Sequence, residues 1–156
     1  FHHKFMTLAR VPENDLMKFD QWRFYVNGRW SPDFNKADRL CADMANEYSV
    51  SFLPSLGKFI VVYSENGSSR NIAARFASHP WGPWSGPVDL YQCPEMSTDE
   101  DILCYAAKGH PELSLAPDEL IVTYVANSTD FYKMAADARL YRPRFIRVRF
   151  KGAANK

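Results

Sequence analysis

Apolar and polar positions alternate along this chain in short runs, and the runs are bounded by clusters of Gly, Pro, Asn and Ser. Segments rich in β-branched and aromatic residues fall at 5–11, 21–26, 49–53, 58–64, 71–77, 88–92, 103–108, 119–126 and 144–150. Period-two alternation and short apolar runs between turn residues predict strands at these places. Asn27-Gly28 and Asn66-Gly67 supply hairpin turn chemistry. Helical periodicity is weak; 14–20, 35–46 and 130–139 are expected to hold only a turn or a short helix. The chain reads as mostly β.

A repeat runs through the pattern. Residues 47–52, a loop and 59–66 can be laid over 110–115, a loop and 120–127, offset by 63 residues at the start (47 to 110) and 61 at the end (66 to 127). A second pair keeps the phase: Leu8 to Val11 with Trp22 and Tyr25 matches Ala73 to Phe76 with Trp84 and Tyr91, and Ile146 to Val148 is a weaker third copy. A unit of about four short strands repeating at roughly 60 residues is the mark of a propeller blade, somewhat longer than the usual period. The expected fold is therefore all-β: a partial five-bladed β-propeller of about two to three blades, each a four-stranded antiparallel sheet. The units fall at about 1–40, 41–94 and 95–150, with 151–156 as a tail. A β-sandwich is the alternative that strand spacing alone allows. An incomplete ring would be completed by missing N-terminal blades of the same parent chain, by a second chain or by a homo-oligomer.

Composition narrows the function classes. In 156 residues, 46% are hydrophobic and 24% charged, enough for one core. With 19 basic and 18 acidic residues the net charge is +1, so no global field recruits nucleic acid or an anionic membrane. No apolar run approaches the roughly 18 residues of a membrane span. Aromatics make up 15%; they suit strands and carbohydrate clefts, and also plain core. The cysteines, Cys41, Cys93 and Cys104, form no CxxC pair, so at most one internal bridge is available, Cys93 with Cys104 being one choice. No phosphate loop, HExxH or GxSxG is present. His2-His3 is too short to count as a metal site, and no metal ligand set is assigned. A chain opening at Phe1 without a signal-like stretch is expected to have been processed, cut or truncated.

Several linked motifs carry a resemblance: Glu47-Tyr-Ser-Val-Ser, Pro80-Trp-Gly-Pro-Trp84, the stretch from Tyr105 to Ser114, Tyr124-Val-Ala-Asn127 and Tyr141-Arg-Pro-Arg-Phe145. Together they resemble the C-terminal half of a bacterial and fungal family long catalogued as a domain of unknown function. That family is built as a five-bladed propeller related to furanosidase-type glycoside hydrolases, some members being reported as endo-acting arabinanases. The resemblance implies a carbohydrate-active protein that hydrolyses a furanose-containing polysaccharide or oligosaccharide once the ring is complete. It also implies an extracellular or periplasmic location, and no cofactor, with a structural ion in the channel left open. The alternatives are a non-catalytic glycan-binding or interaction propeller, or an inactive fragment.

Glycosidases place two carboxyl groups across the scissile bond, one to protonate the leaving oxygen and one to act as nucleophile or base. Residues at equivalent starts of innermost strands converge on a propeller channel, and the repeat makes Glu47 and His110 equivalent. Glu47 is the candidate general acid and His110 a supporting catalytic residue. The resemblance implies that the second carboxylate, an Asp, belongs to the first blade, which this chain lacks. Glu112 lies two residues from His110 on the same side of an extended strand. Arg142 and Arg144 offer guanidinium forks to substrate, or structural pairs with Glu47 or Glu112. Trp81 could stack on a sugar face or plug a joint between blades.

Overall fold

The computed structural model describes residues 4–151. In chain order the strands are β1 (Phe5–Met6), β2 (Ala9–Arg10), β3 (Arg23–Val26), β4 (Arg29–Ser31), β5 (Cys41–Ala42), β6 (Tyr48–Leu53), β7 (Lys58–Ser64), β8 (Asn71–Ala77), β9 (Val88–Gln92), β10 (Ile102–His110), β11 (Glu119–Ser128) and β12 (Pro143–Arg149). A short helix α1, Phe131–Ala136, precedes β12, and the remaining helical pieces are single 3-10 turns. The strands form small antiparallel sheets: β1-β5, β2-β3-β4, β6-β7-β8-β9 and β10-β11-β12. No helix among the described residues is long and apolar enough to cross a membrane.

Local chemistry sets the turns. Asn27 and Gly28 both take positive φ, 47° and 79°, which matches the twist of a two-residue hairpin and joins β3 to β4 with Val26 opposite Arg29. Asp130 caps α1 by accepting from the N–H groups of Tyr132 and Lys133. The predicted helix at 35–46 reduces to one turn at Phe34–Lys36 followed by β5, and the one at 14–20 to turns at Glu13–Asp15 and Phe19–Gln21.

The core has two parts because the sheet β6-β9 is covered on both faces. On one face Val61, Tyr63 and Ala73 pack with Met6, Cys41, Met44 and Ala45. On the other, Ile60, Val62, Ile72 and Ala74 pack with Cys104, Ala107, Leu120, Val122, Tyr124 and Ala126. A strand covered on both faces needs a continuous apolar run, which is why β7 reads Phe-Ile-Val-Val-Tyr. By contrast β12 alternates exposed and part-buried positions.

Close approach between sheets centres on β10. Its register shifts between Tyr105 and Lys108, where Ala106 adopts φ 57°, a bulge in a strand that is also the edge of its sheet and so turns backbone donors outward. Serines on the neighbouring sheet take them: the N–H of Gly109 donates to Ser49 Oγ at 2.7 Å and that of Ala107 to Ser64 Oγ at 3.4 Å. A side chain at Gly109 would crowd its neighbours, since a Cβ would lie 3.0 Å from Leu120 Cδ2 and 3.3 Å from Val62 Cγ2.

The repeat holds for the central strands, β7 and β11, but its first half is corrected. Residues 110–115 do not correspond to 47–52. His110 is the last residue of β10, and Pro111–Leu113 form a 3-10 turn. The strand before β11 is therefore Ile102–His110, so Glu47 and His110 stand at opposite ends of corresponding strands. The likeness of β7 to β11 carried the wrong register backwards because the loop 111–118 is longer than the loop 54–57 and β10 is bulged.

Gly109→Val is expected to lower unfolding free energy by about 1–3 kcal/mol through overpacking, and Leu120→Ala by about 2–5 kcal/mol through a cavity. Urea denaturation of the purified chain measures both; a neutral Gly109→Val would mean that the two sheets do not meet there.

Candidate functional site

Glu47 stands immediately before β6, where Tyr48 opens the ladder by pairing with Tyr63. The turn after β7 brings Asn66 and Gly67 beside it, tied by the Asn66 N–H to the Asp43 carbonyl at 3.1 Å. From the next sheet come Leu103 and Asn127, which pair across β10 and β11, and Tyr105. With Lys4, Ala45, Asn46 and Ser68 these residues line an open cavity of about 390 Å³. Glu47 is exposed, and among the described residues it makes no hydrogen bond or ion pair. A carboxylate without a protein partner, ringed by amide and phenol groups, is free to donate to or accept from a ligand.

The sequence singles out Glu47 but not its surroundings: Tyr105 lies inside a motif without an assigned role, and Lys4 and Asn46 carry no signal. The cavity is assembled from segments of separate sheets, which local spacing does not reveal.

His110 and Glu112 are brought together, but not with Glu47. The ring of His110 bridges Glu112 Oε1 at 3.0 Å through Nδ1 and Thr123 Oγ1 at 2.8 Å through Nε2. The Glu112 carboxyl is held below its ordinary range, first by its own backbone N–H and then by His110. Ladder register puts His110, Ile121, Thr123 and Phe145 on the face of β10-β11-β12 turned away from the Leu120 and Val122 core. Thr123 is a partner that sequence reasoning did not suggest.

Arg144 is engaged elsewhere. Its Nε lies 2.6 Å from Glu95 Oε1, and its Nη2 donates to the Arg139 carbonyl at 3.0 Å. The hydroxyl of Tyr124 also donates to Glu95, at 3.1 Å from each oxygen. Burial, then Tyr91 and Glu95, pushes that hydroxyl well above the ordinary phenol range, so it stays a donor. The structural partner of Arg144 is thus Glu95, not Glu47 or Glu112. Arg142 is exposed, and its carbonyl accepts from Arg144. A second cavity, about 770 Å³, is lined by Glu95, Asp99, Lys133, Asp137, Arg139 and Arg144 among others. Its charges are internally paired: Lys133 with Asp99 and Asp101, Arg139 with Asp137, Arg144 with Glu95. It is larger than the Glu47 cavity and offers less unspent chemistry.

Trp81 is 39% exposed. Its ring runs nearly parallel to Tyr25, centroids 5.8 Å apart, and to His79, centroids 5.0 Å apart. These neighbours occupy ring surface on which a sugar would stack.

A family model described as a domain of unknown function (DUF5005) matches residues 1–151. A crystal structure described as "a putative hydrolase from Bacteroides ovatus" is 22% identical, with a TM-score of 0.63, over 92% of this chain and 39% of that one. That likeness is one of fold, and this chain spans about two fifths of the length of that structure. No curated protein matches the chain.

Glu95→Gln and Arg144→Gln are each expected to lower stability by about 1–3 kcal/mol, since either leaves a largely buried charge without its partner. A double-mutant cycle by urea denaturation checks this: coupling near zero would show that the pair is not structural and would return Arg144 to the set of substrate contacts.

Proposed function

The chain belongs to the DUF5005 family, and from that premise we propose that it is the C-terminal part of a five-bladed β-propeller that binds and hydrolyses a furanose-containing polysaccharide, with Glu47 as the general acid. The observation that carries the reading is the free carboxylate of Glu47 in a cavity lined by Asn46, Asn66, Tyr105 and Asn127. Amide and phenol groups beside a carboxylate suit sugar hydroxyls, which both donate and accept.

The propeller part of the proposal rests on topology and an open flank. Both large sheets are sequential meanders, and β6-β9 lies between two neighbours. Phe145, on the outer face of the last sheet, is 63% exposed. A further blade at that flank would cover it. The proposed units are 1–40, 41–94 and 95–150, and the part spanned of the Bacteroides ovatus structure, 39%, is in keeping with a ring that continues beyond this chain. The description of that protein as a hydrolase favours an enzyme over a scaffold, and an exported location follows from the substrate class.

In the proposed reaction the protonated Glu47 gives its proton to the glycosidic oxygen as the bond to the anomeric carbon breaks, and a carboxylate from another blade attacks that carbon or activates water. Tyr105 and the asparagines hold sugar hydroxyls. His110, oriented by Glu112 and Thr123, lies outside the Glu47 cavity and would act at the mouth of the completed ring, and Arg142, exposed, stays a proposed substrate contact. One observation favours the second reading, glycan binding without hydrolysis: among the described residues, Glu47 is the only acidic one lining the cavity.

Glu47→Gln in the complete protein is expected to cut turnover of an arabinan-type polysaccharide by about 10²–10⁴-fold and to leave the melting temperature nearly unchanged, since Glu47 is exposed and unpaired. Unchanged turnover, or a large loss of stability, would contradict the assignment. A wild-type protein that binds the polysaccharide by calorimetry yet releases no reducing sugar would support the second reading.

A further inference from the structure

We propose that Cys93 and Cys104 form a disulfide that clamps the loop 94–103 against the neighbouring sheet. All three cysteines are present as thiols in this structure. Cys93 and Cys104 are 0% and 1% exposed, and their sulfurs and a Glu95 carboxylate oxygen all lie within 4.8 Å of one another. Cys93 closes β9 and Cys104 sits in β10, so a bridge would join the last strand of one sheet to the first strand of the next. One backbone segment fixes both: the Cys93 N–H donates to the Arg70 carbonyl at 2.8 Å, and the Ser69 N–H donates to the Cys104 carbonyl at 3.3 Å. In the folded chain the thiol of Cys93 donates toward Cys104, which raises the former's pKa and lowers the latter's.

A metal is the competing occupant of two sulfurs and a carboxylate. Glu95, however, is already taken by Arg144 and Tyr124, and a guanidinium at 2.6 Å opposes a cation at the same oxygen. Disulfide formation needs only the sulfurs, and it leaves Glu95 to its partners. The bridge would hold the short loop that carries Glu95, and through it Tyr124 in β11 and Arg144 at the start of β12.

The oxidant is a disulfide, either a small molecule or a protein. The thiolate of one of the two cysteines attacks it, forming a mixed disulfide and releasing one oxidant thiolate. The other cysteine then gives up its proton and displaces the second oxidant thiolate. The protein loses two hydrogens, and the oxidant is reduced to two thiols. Because both sulfurs are buried in the folded chain, exchange takes place during folding, before the sheets close.

The test is to refold the full chain with reduced and oxidised glutathione, denature it with iodoacetamide present, and weigh it. The expected product carries one alkylated cysteine, Cys41, and a 93–104 linked peptide. In a Cys41→Ser background the oxidised protein should melt several degrees higher than the same protein refolded with a phosphine reductant. Three alkylated cysteines, a bridge that involves Cys41, or stoichiometric zinc retained on dialysis by the reduced protein would each overturn the proposal.

Discussion

Everything functional in this chain depends on how closely two twisted sheets approach at Gly109. Val62 and Leu120 meet across that point so closely that a Cβ would press on both, and Ser49 and Ser64 receive backbone donors from β10, the edge strand of its sheet. Without glycine the neighbouring side chains would have to give way. The contact fixes the start of β6 relative to β10, and so fixes Glu47 opposite Tyr105.

The same packing sorts the charged residues. Glu95 enters a largely buried position and is matched by Arg144 and Tyr124, as a buried carboxylate must be. Glu119, 4% exposed, is matched by Arg147 at 3.1 Å. Glu47 sits exposed at a strand end, and among the described residues no partner claims it. Structural carboxylates here are recognised by what they are bound to, and the candidate acid by what it is not.

Much of the fold was readable in the sequence because burial is written into periodicity. β7, β8 and β9 match their predicted bounds, since their apolar runs stop at turn residues. The stretch 5–11 read as one strand but divides into β1, which pairs with β5, and β2, which pairs with β3; such partners are distant in sequence and leave no local trace. The repeat was read correctly where side chains repeat, in β7 and β11, and misread where a bulge and a longer loop shift the register. The site shows the same division. The contact of His110 with Glu112 follows from their spacing, whereas the equivalence of Glu47 and His110 does not hold, and Arg144 finds Glu95, far back along the chain, only through the sheet.

The most direct measurement is the crystal structure of the complete protein with an arabino-oligosaccharide bound. The account predicts a closed ring of five blades, a sugar ring beside Tyr105, and a glycosidic oxygen within hydrogen-bond distance of Glu47, with a second carboxylate across the bond. A sugar seated away from Glu47, or sheets that close as a sandwich rather than a ring, would contradict it.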